Sequence, residues 1–451
     1  MSGHRTIDRV SADDLMSLVG DSVFNPMQTG AVLFLDTDAG FDLDRALAAF
    51  GARVATVPRL HQLLVDVPFG CGRPIWIDDP DFVSADQVSI VECPFPDDEE
   101  AVLKIAAYAV NTPLLRSRPL WSATVLTSAS LESLGRPIAL VFVFHHVMAD
   151  GIGGLSLLAD LADGAALRPE ATRPEYSAAG DSPTRKALFF DACSERLRSI
   201  PRIRGAVLRF VDGVAEVRSA GRVHPVHSSL NVPTGAGRLL ETVSSELRGI
   251  RESSHATGAT VNDAVLAAVA GSLHRLMELR GERLDEVVIS VPFSSRRSAV
   301  STELGNRSGV IPLRVPAAGV RLDRLDAVAA ISRAAKLTRR AASTAVLRPI
   351  FRGLARIGAY RWFIGRQRMI HTIVSTVHGP EAPISLLGCG VTRVVPLGIP
   401  TGNLPVTFAV ITYAGMLTIT LVSDPDACPD VRILRTLLTE ELRAYSTLRH
   451  S

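Results

Sequence analysis

Seven apolar residues in a row, Ile138 to Phe144, run straight into His145 and His146, and the chain then reads Val147-Met-Ala-Asp150-Gly151-Ile-Gly153-Gly154. A strand that apolar must be covered on both faces, so the fold has to be layered, with helices packed against a sheet. The polar groups at its end then sit at or beside an interior channel. Because side chains alternate across a strand, His145 and His146 point to opposite sides, and only one can face a given cavity. A neutral imidazole in such a place can take a proton from a hydroxyl, since its ordinary pKa of about 6.5 suits work near neutral pH.

The rest of the chain repeats the mixture. Strand-like runs at Ala31 to Leu35 and Val287 to Val291 alternate with helical stretches at Phe41 to Gly51, Glu100 to Val110, Val261 to Glu278 and Arg324 to about Ala342, an α/β (α+β) pattern. With 451 residues, 47% of them apolar, the chain can build two cores. Between Ala166 and Lys186 the Pro-, Ser-, Ala- and Gly-rich sequence loses all periodicity, which places a linker at 166–186 between an N-terminal domain, 1–165, and a C-terminal one, 187–451. The uncharged stretch Leu404 to Val422 is nearly the length of a membrane span, which needs about 20 apolar residues. Its alternation around Ala414-Gly415 and its β-branched density predict a hairpin instead.

Composition removes several classes. A net charge of +2 argues against a general nucleic-acid binder. Five scattered cysteines, Cys71, Cys93, Cys193, Cys389 and Cys428, form no CxxC or zinc spacing, so free thiols in a reducing, cytoplasmic setting are expected, with no metal or other cofactor. Met1 to Arg9 lacks the apolar core of a cleaved leader. Neither GxSxG, HExxH nor a Walker loop occurs, and Ser156 breaks any GxGxxG after Gly151.

One charge asymmetry stands out. Residues 327–380 contain no acid, while Arg333, Lys336, Arg339, Arg340, Arg348, Arg352, Arg356, Arg361, Arg366 and Arg368 accumulate among apolar residues. Arg348, Arg352 and Arg356 share a face if helical, opposite Ile350, Leu354 and Ile357. The segment reads either as a solvated basic face, as a surface for membranes or lipid droplets, or as a site for a phosphate-rich ligand. Arg196 to Arg222 is a second basic stretch of the same kind.

Other candidates carry two readings each. Asp150 either orients a histidine or caps the helix that starts near Gly151. Asn262 either bonds a substrate oxygen or, with Asp263, opens a helix. Trp121, after Pro119-Leu120, either packs a strand start or touches substrate.

The spacing His145-His146-xxx-Asp150-Gly151 resembles the HHxxxDG signature of the acyltransferase superfamily related to chloramphenicol acetyltransferase and the peptide-synthetase condensation domains. Pro119-Leu120-Trp121, Asn262-Asp263, Leu304-Gly305-Asn306 after Pro292-Phe-Ser-Ser-Arg296, and Ser375-Thr-Val-His-Gly379-Pro380 are similar to motifs of the bacterial wax ester synthase/diacylglycerol acyltransferase family, and the resemblance runs from Ser11 to Asp430. Thr376 and His378 depart from the family's usual Ser-Asn-Val-Pro-Gly-Pro. The resemblance implies two chloramphenicol-acetyltransferase-like domains with a tunnel between them, acyl-CoA as donor substrate, and diacylglycerol or a fatty alcohol as acceptor. It implies His146 as general base, with His145 and Asp150 beside it and Gly151, Asn262, Trp121 and Ser375 toward substrate. Peripheral attachment to a membrane or lipid droplet is expected. The alternatives are an acyltransferase using a carrier-protein thioester or a polyketide alcohol, and an inactive lipid-binding homologue.

Overall fold

The computed structural model describes residues 7–11, 14–22, 25–37, 40–93, 98–128, 137–164, 183–198, 228–294, 308–338, 353–354, 358–399 and 402–447. Two six-stranded mixed sheets carry the fold. The first contains β1 (Gln28–Asp36), β4 (Val88–Cys93), β5 (Trp121–Ser128), β6 (Pro137–His145), β11 (Ser385–Leu386) and β12 (Cys389–Leu397), in the order β11-β12-β1-β6-β5-β4. β2 (Gln62–Val65) and β3 (Ile75–Asp78) pair separately. The second sheet contains β7 (Leu239–Glu246), β8 (Glu286–Ser294), β9 (Ser308–Pro316), β10 (Thr372–His378), β13 (Val406–Tyr413) and β14 (Met416–Ser423), in the order β7-β14-β13-β10-β8-β9.

The apolar run is the central strand β6, hydrogen-bonded to β1 on one side and β5 on the other. Ala139 to Phe144 are all buried, as a strand without alternation must be. Phe142 stacks tilted against Trp121 with ring centroids 5.7 Å apart, and each such fully buried aromatic contributes about 1.5–3 kcal/mol.

In the second lobe the Val261–Leu279 helix starts at a capping box. The Thr260 hydroxyl accepts from Asp263 N–H at 3.2 Å and the Asp263 carboxylate accepts from Thr260 N–H at 2.9 Å. It is apolar nearly all round because it lies between the sheet and the Val431–Thr447 helix. At Gly271 a Cβ would stand 2.4 Å from Arg324 Nη2, so the missing side chain makes room for a buried ion pair between Arg324 and Glu441. Arg324 also donates to Ala317 O at 3.0 Å and to the Tyr445 hydroxyl at 3.2 Å, which satisfies a cation that would otherwise be costly to bury.

The expected hairpin is present: β13 and β14 pair in full register from Val406↔Ser423 to Tyr413↔Met416. Ala414 (φ 47°) and Gly415 (φ 80°) form its two-residue turn, both in the left-handed region that matches the twist of the strands. No helix among the described residues is long and apolar enough to cross a membrane. All five cysteines are free thiols.

The contiguous division into 1–165 and 187–451 does not hold. β12 crosses back to pair with β1, Leu33 opposite Val394, so residues 385–397 extend the first sheet. The helix at 185–198 also packs on the first lobe, with Arg9 Nε 2.7 Å from Asp191 Oδ2 and Leu188 buried beside Cys71 and Ile75. A strand's own alternation says which face is buried but not which sheet it joins. Most of the expected linker, and Arg348, Arg352 and Arg356, lie outside the described residues.

Candidate active site

β6 ends at His145, and the backbone there is held from two neighbours. His145 N–H donates to Leu120 O at 2.9 Å and His146 N–H to Met27 O at 2.8 Å. A turn follows, closed by Met148 N–H on His145 O at 2.9 Å, and the chain enters the Gly151–Leu161 helix.

The two imidazoles diverge. His145 is buried, and its Nδ1 accepts Val147 N–H at 3.0 Å, which places the proton of its neutral form on Nε2. That atom lies 3.5 Å from Asp21 Oδ2. Burial pushes the Asp21 carboxyl up, but the hydrogen-bonding contact with His145, the Met27 N–H donated to Oδ1 at 2.9 Å, and the charge of Arg116 together hold it below the usual carboxylate range. Met27 thus serves both histidines, with its N–H on Asp21 and its carbonyl under His146 N–H. Arg361 clasps the same loop by donating to Val19 O at 2.9 Å and to Asp21 O. Asp21, Met27 and Arg361 were not singled out as site residues by sequence reasoning, since nothing local marks a loop residue that will meet a strand end more than a hundred positions away.

His146 faces a cavity of about 220 Å³ between the lobes. The first lobe supplies Thr29, Gly151 and Leu155, and the second Pro292, Ser375 and Val377. Apart from His146, the polar side chains on the wall among the described residues are Thr29 and Ser375. Thr29 spends its hydroxyl proton on Leu397 O at 2.6 Å. No carboxylate or thiol of the described residues shares the wall, and they hold no His, Cys, Asp or Glu cluster able to bind a metal ion. The cavity is smaller than the ~300–1,000 Å³ of a typical small-molecule pocket.

Asp150 is buried and caps the helix, accepting Gly153 N–H at 2.9 Å, where its charge also faces the positive end of the helix dipole. Gly151 and Gly154 let that helix approach closely. A Cβ at Gly151 would lie 2.9 Å from Val377 of the other lobe, and one at Gly154 would lie 2.4 Å from the Phe144 ring.

Of the expected substrate-facing residues, the structure brings Gly151 and Ser375 to the cavity and leaves Asn262 and Trp121 off its wall. Trp121 is fully buried, with its indole N–H donating to Leu60 O at 2.7 Å, which is a packing role. Along β10, Ser375 and Val377 face the cavity and Thr376 the opposite side, where its hydroxyl donates to Asn262 Oδ1 at 2.9 Å. Thr376, one of the two residues that depart from the expected motif, thereby pins the start of the Val261–Leu279 helix to a central strand of the second sheet.

Paired histidines at the end of a buried strand, an aspartate cap after them, and a largely apolar cavity between two mixed sheets make up the candidate site. The wax ester synthase/diacylglycerol acyltransferase catalytic domain model matches residues 10–265, and the C-terminal domain model of the same family matches residues 304–446. The chain belongs to that family and is an acyltransferase. A Mycobacterium tuberculosis protein named for diacylglycerol O-acyltransferase activity is 26% identical over 448 residues, covering 95% of this chain and 88% of the relative. The wax ester synthase/diacylglycerol acyltransferase from Marinobacter aquaeolei VT8 has a similar structure, with TM-score 0.68 at 19% identity over 98% of this chain and all (100%) of that one. The first condensation domain of the calcium-dependent antibiotic synthetase is also similar, with TM-score 0.65 at 17% identity over 98% and 96% of the two chains.

Proposed function

We propose that the protein transfers a long acyl chain from acyl-CoA to the hydroxyl of diacylglycerol or a fatty alcohol, with His146 as general base. What carries this reading is the placement of His146: among the described residues it is the titratable side chain on the wall of a largely apolar cavity lined by both lobes. A base in this position acts through the neutral imidazole, which accepts the hydroxyl proton. His146 takes the hydroxyl proton while the acceptor oxygen attacks the thioester carbonyl. The tetrahedral intermediate then collapses with cleavage of the carbon–sulfur bond, and the imidazolium returns its proton to the CoA thiolate. A base of this kind contributes about 10²–10⁴-fold.

The chain's other residues position and bind. His145 and Asp21 fix the strand end, Asp150 fixes the helix start, and the Ser375 hydroxyl is the donor we assign to a substrate oxygen. An acceptor of this class resides in a lipid surface, so the enzyme works at a membrane or lipid droplet without spanning it. CoA release from palmitoyl-CoA, measured separately with dioleoylglycerol and with hexadecanol, tests the reading. Turnover with either acceptor is expected. Palmitoyl-CoA left intact with both, alongside turnover of a carrier-protein thioester, would contradict it.

A further inference from the structure

Among the described residues, the helix at 185–198, Arg185-Lys-Ala-Leu-Phe-Phe-Asp-Ala-Cys-Ser-Glu-Arg-Leu-Arg198, packs on the first lobe by one face. Leu188 and Ala192 are buried against the lobe. The acids of the helix are paired with cations of the lobe, Asp191 with Arg9 at 2.7 Å and the half-exposed Glu195 with Arg73. The outer face is left with Phe189, Phe190 and Leu197, which are 47%, 61% and 67% exposed, and with the exposed cations Arg185, Lys186, Arg196 and Arg198. Phe189, Phe190, Cys193 and Leu197 recur at spacings of three and four and so share that face. Phe69, fully exposed, stands at the tip of the loop between β2 and β3. That loop lies along the same helix, with Arg196 Nη2 donating to Gly70 O at 3.4 Å and Cys71 Sγ to Arg185 O at 3.7 Å.

Exposed aromatic rings on a folded enzyme are costly in water, and here they are bracketed by cations at both ends of the helix while its acids are paired with Arg9 and Arg73. We infer that Phe69, Phe189, Phe190 and Leu197, with Arg185, Lys186, Arg196 and Arg198, form the surface by which the protein docks on an anionic lipid layer. The rings enter the headgroup–acyl boundary and the cations pair with lipid phosphates. This names the place on the molecule for the lipid contact that the proposed reaction calls for, and it rests on that reading for its purpose. It assigns the contact to the first lobe rather than to the acid-free segment 327–380.

Flotation of the full chain with vesicles of phosphatidylcholine alone, and of phosphatidylcholine mixed with phosphatidylglycerol, tests it. The wild type is expected to partition onto the anionic vesicles and to be released by salt. The triple variant Phe69→Ser, Phe189→Ser, Phe190→Ser is expected to lose at least about tenfold in partition coefficient with an unchanged melting temperature, since all three side chains are solvent-facing. Neutralising Arg185, Lys186, Arg196 and Arg198 to Gln should reproduce the loss on anionic vesicles only. Wild-type partitioning by the triple variant would overturn the assignment. So would dissociation of a wild-type oligomer into monomers by the triple variant with vesicle binding intact, which would make a second copy of the chain the occupant. CoA release from octanoyl-CoA with a short water-soluble alcohol keeps the two readings apart. It is expected to be equal in wild type and variants, and its absence in the wild type would count against the proposed reaction while the partition data still judge the surface.

Discussion

Asp21 Oδ2 lies 3.5 Å from His145 Nε2, and the other oxygen of the same carboxylate accepts Met27 N–H at 2.9 Å. Met27 in turn receives His146 N–H on its carbonyl. One loop carboxylate therefore fixes the buried His145 and, through a single intervening residue, the backbone of His146.

Asp21→Asn keeps the shape and removes the charge. We expect kcat to fall about tenfold with KM little changed, because a base displaced by a fraction of an ångström loses alignment before it loses binding. The variant should also lose part of the acid limb of the stability profile. The folded carboxyl titrates below its ordinary value, so its contribution is present above about pH 4 and disappears as pH falls through the depressed folded value. Urea melts between pH 3 and 7, values spanning the titration of a carboxylate at about 4, check this; parallel wild-type and Asn profiles would contradict it.

Thr376→Val is expected to cost about 0.5–1.5 kcal/mol by breaking the hydroxyl's bond to Asn262 Oδ1, while CoA release stays within about threefold of wild type. Asn262→Ala should behave alike, and the double variant should cost less than the sum. A collapse of kcat in Asn262→Ala without loss of stability would instead place that side chain on the substrate.

Gly154→Ala puts a methyl group 2.4 Å from the Phe144 ring, deep in the first core. The overpacking should cost about 1–3 kcal/mol and lower activity by shifting the helix that Asp150 caps. Combining it with Phe144→Leu, which vacates the ring, should restore much of the loss in a thermal melt.

Ala414→Asn replaces a residue strained at φ 47° by one that tolerates the left-handed region ahead of Gly415. We expect stabilisation of about 0.5–1 kcal/mol with unchanged turnover, read from the denaturation midpoint.

How much of this was written in the sequence can be judged strand by strand. The Ile138–Phe144 run and the alternation around Ala414-Gly415 were legible because burial on one or both faces leaves a local pattern, and β6, β13 and β14 lie where those patterns put them. Val261 as a helix start was legible too, since the capping box is local. β12 was not, because crossing from the second half of the chain into the first sheet is decided by long-range pairing with β1. Within the site, the histidine spacing and Asp150 could be read directly. The partners of His145 could not, as Asp21 and Met27 sit in an unremarkable loop whose contacts exist only once the strands have assembled. Asn262 was legible as a helix-opening residue, yet its partner across to β10 shows only in the fold.

The central claim is that His146, on the wall of an apolar cavity, is the base that deprotonates the acceptor alcohol. The most direct measurement is CoA release from palmitoyl-CoA by His146→Ala, with dioleoylglycerol or hexadecanol present and folding monitored by circular dichroism. The account predicts a loss of about 10²–10⁴-fold in kcat with an unchanged melting curve. Turnover within a few-fold of wild type would contradict it.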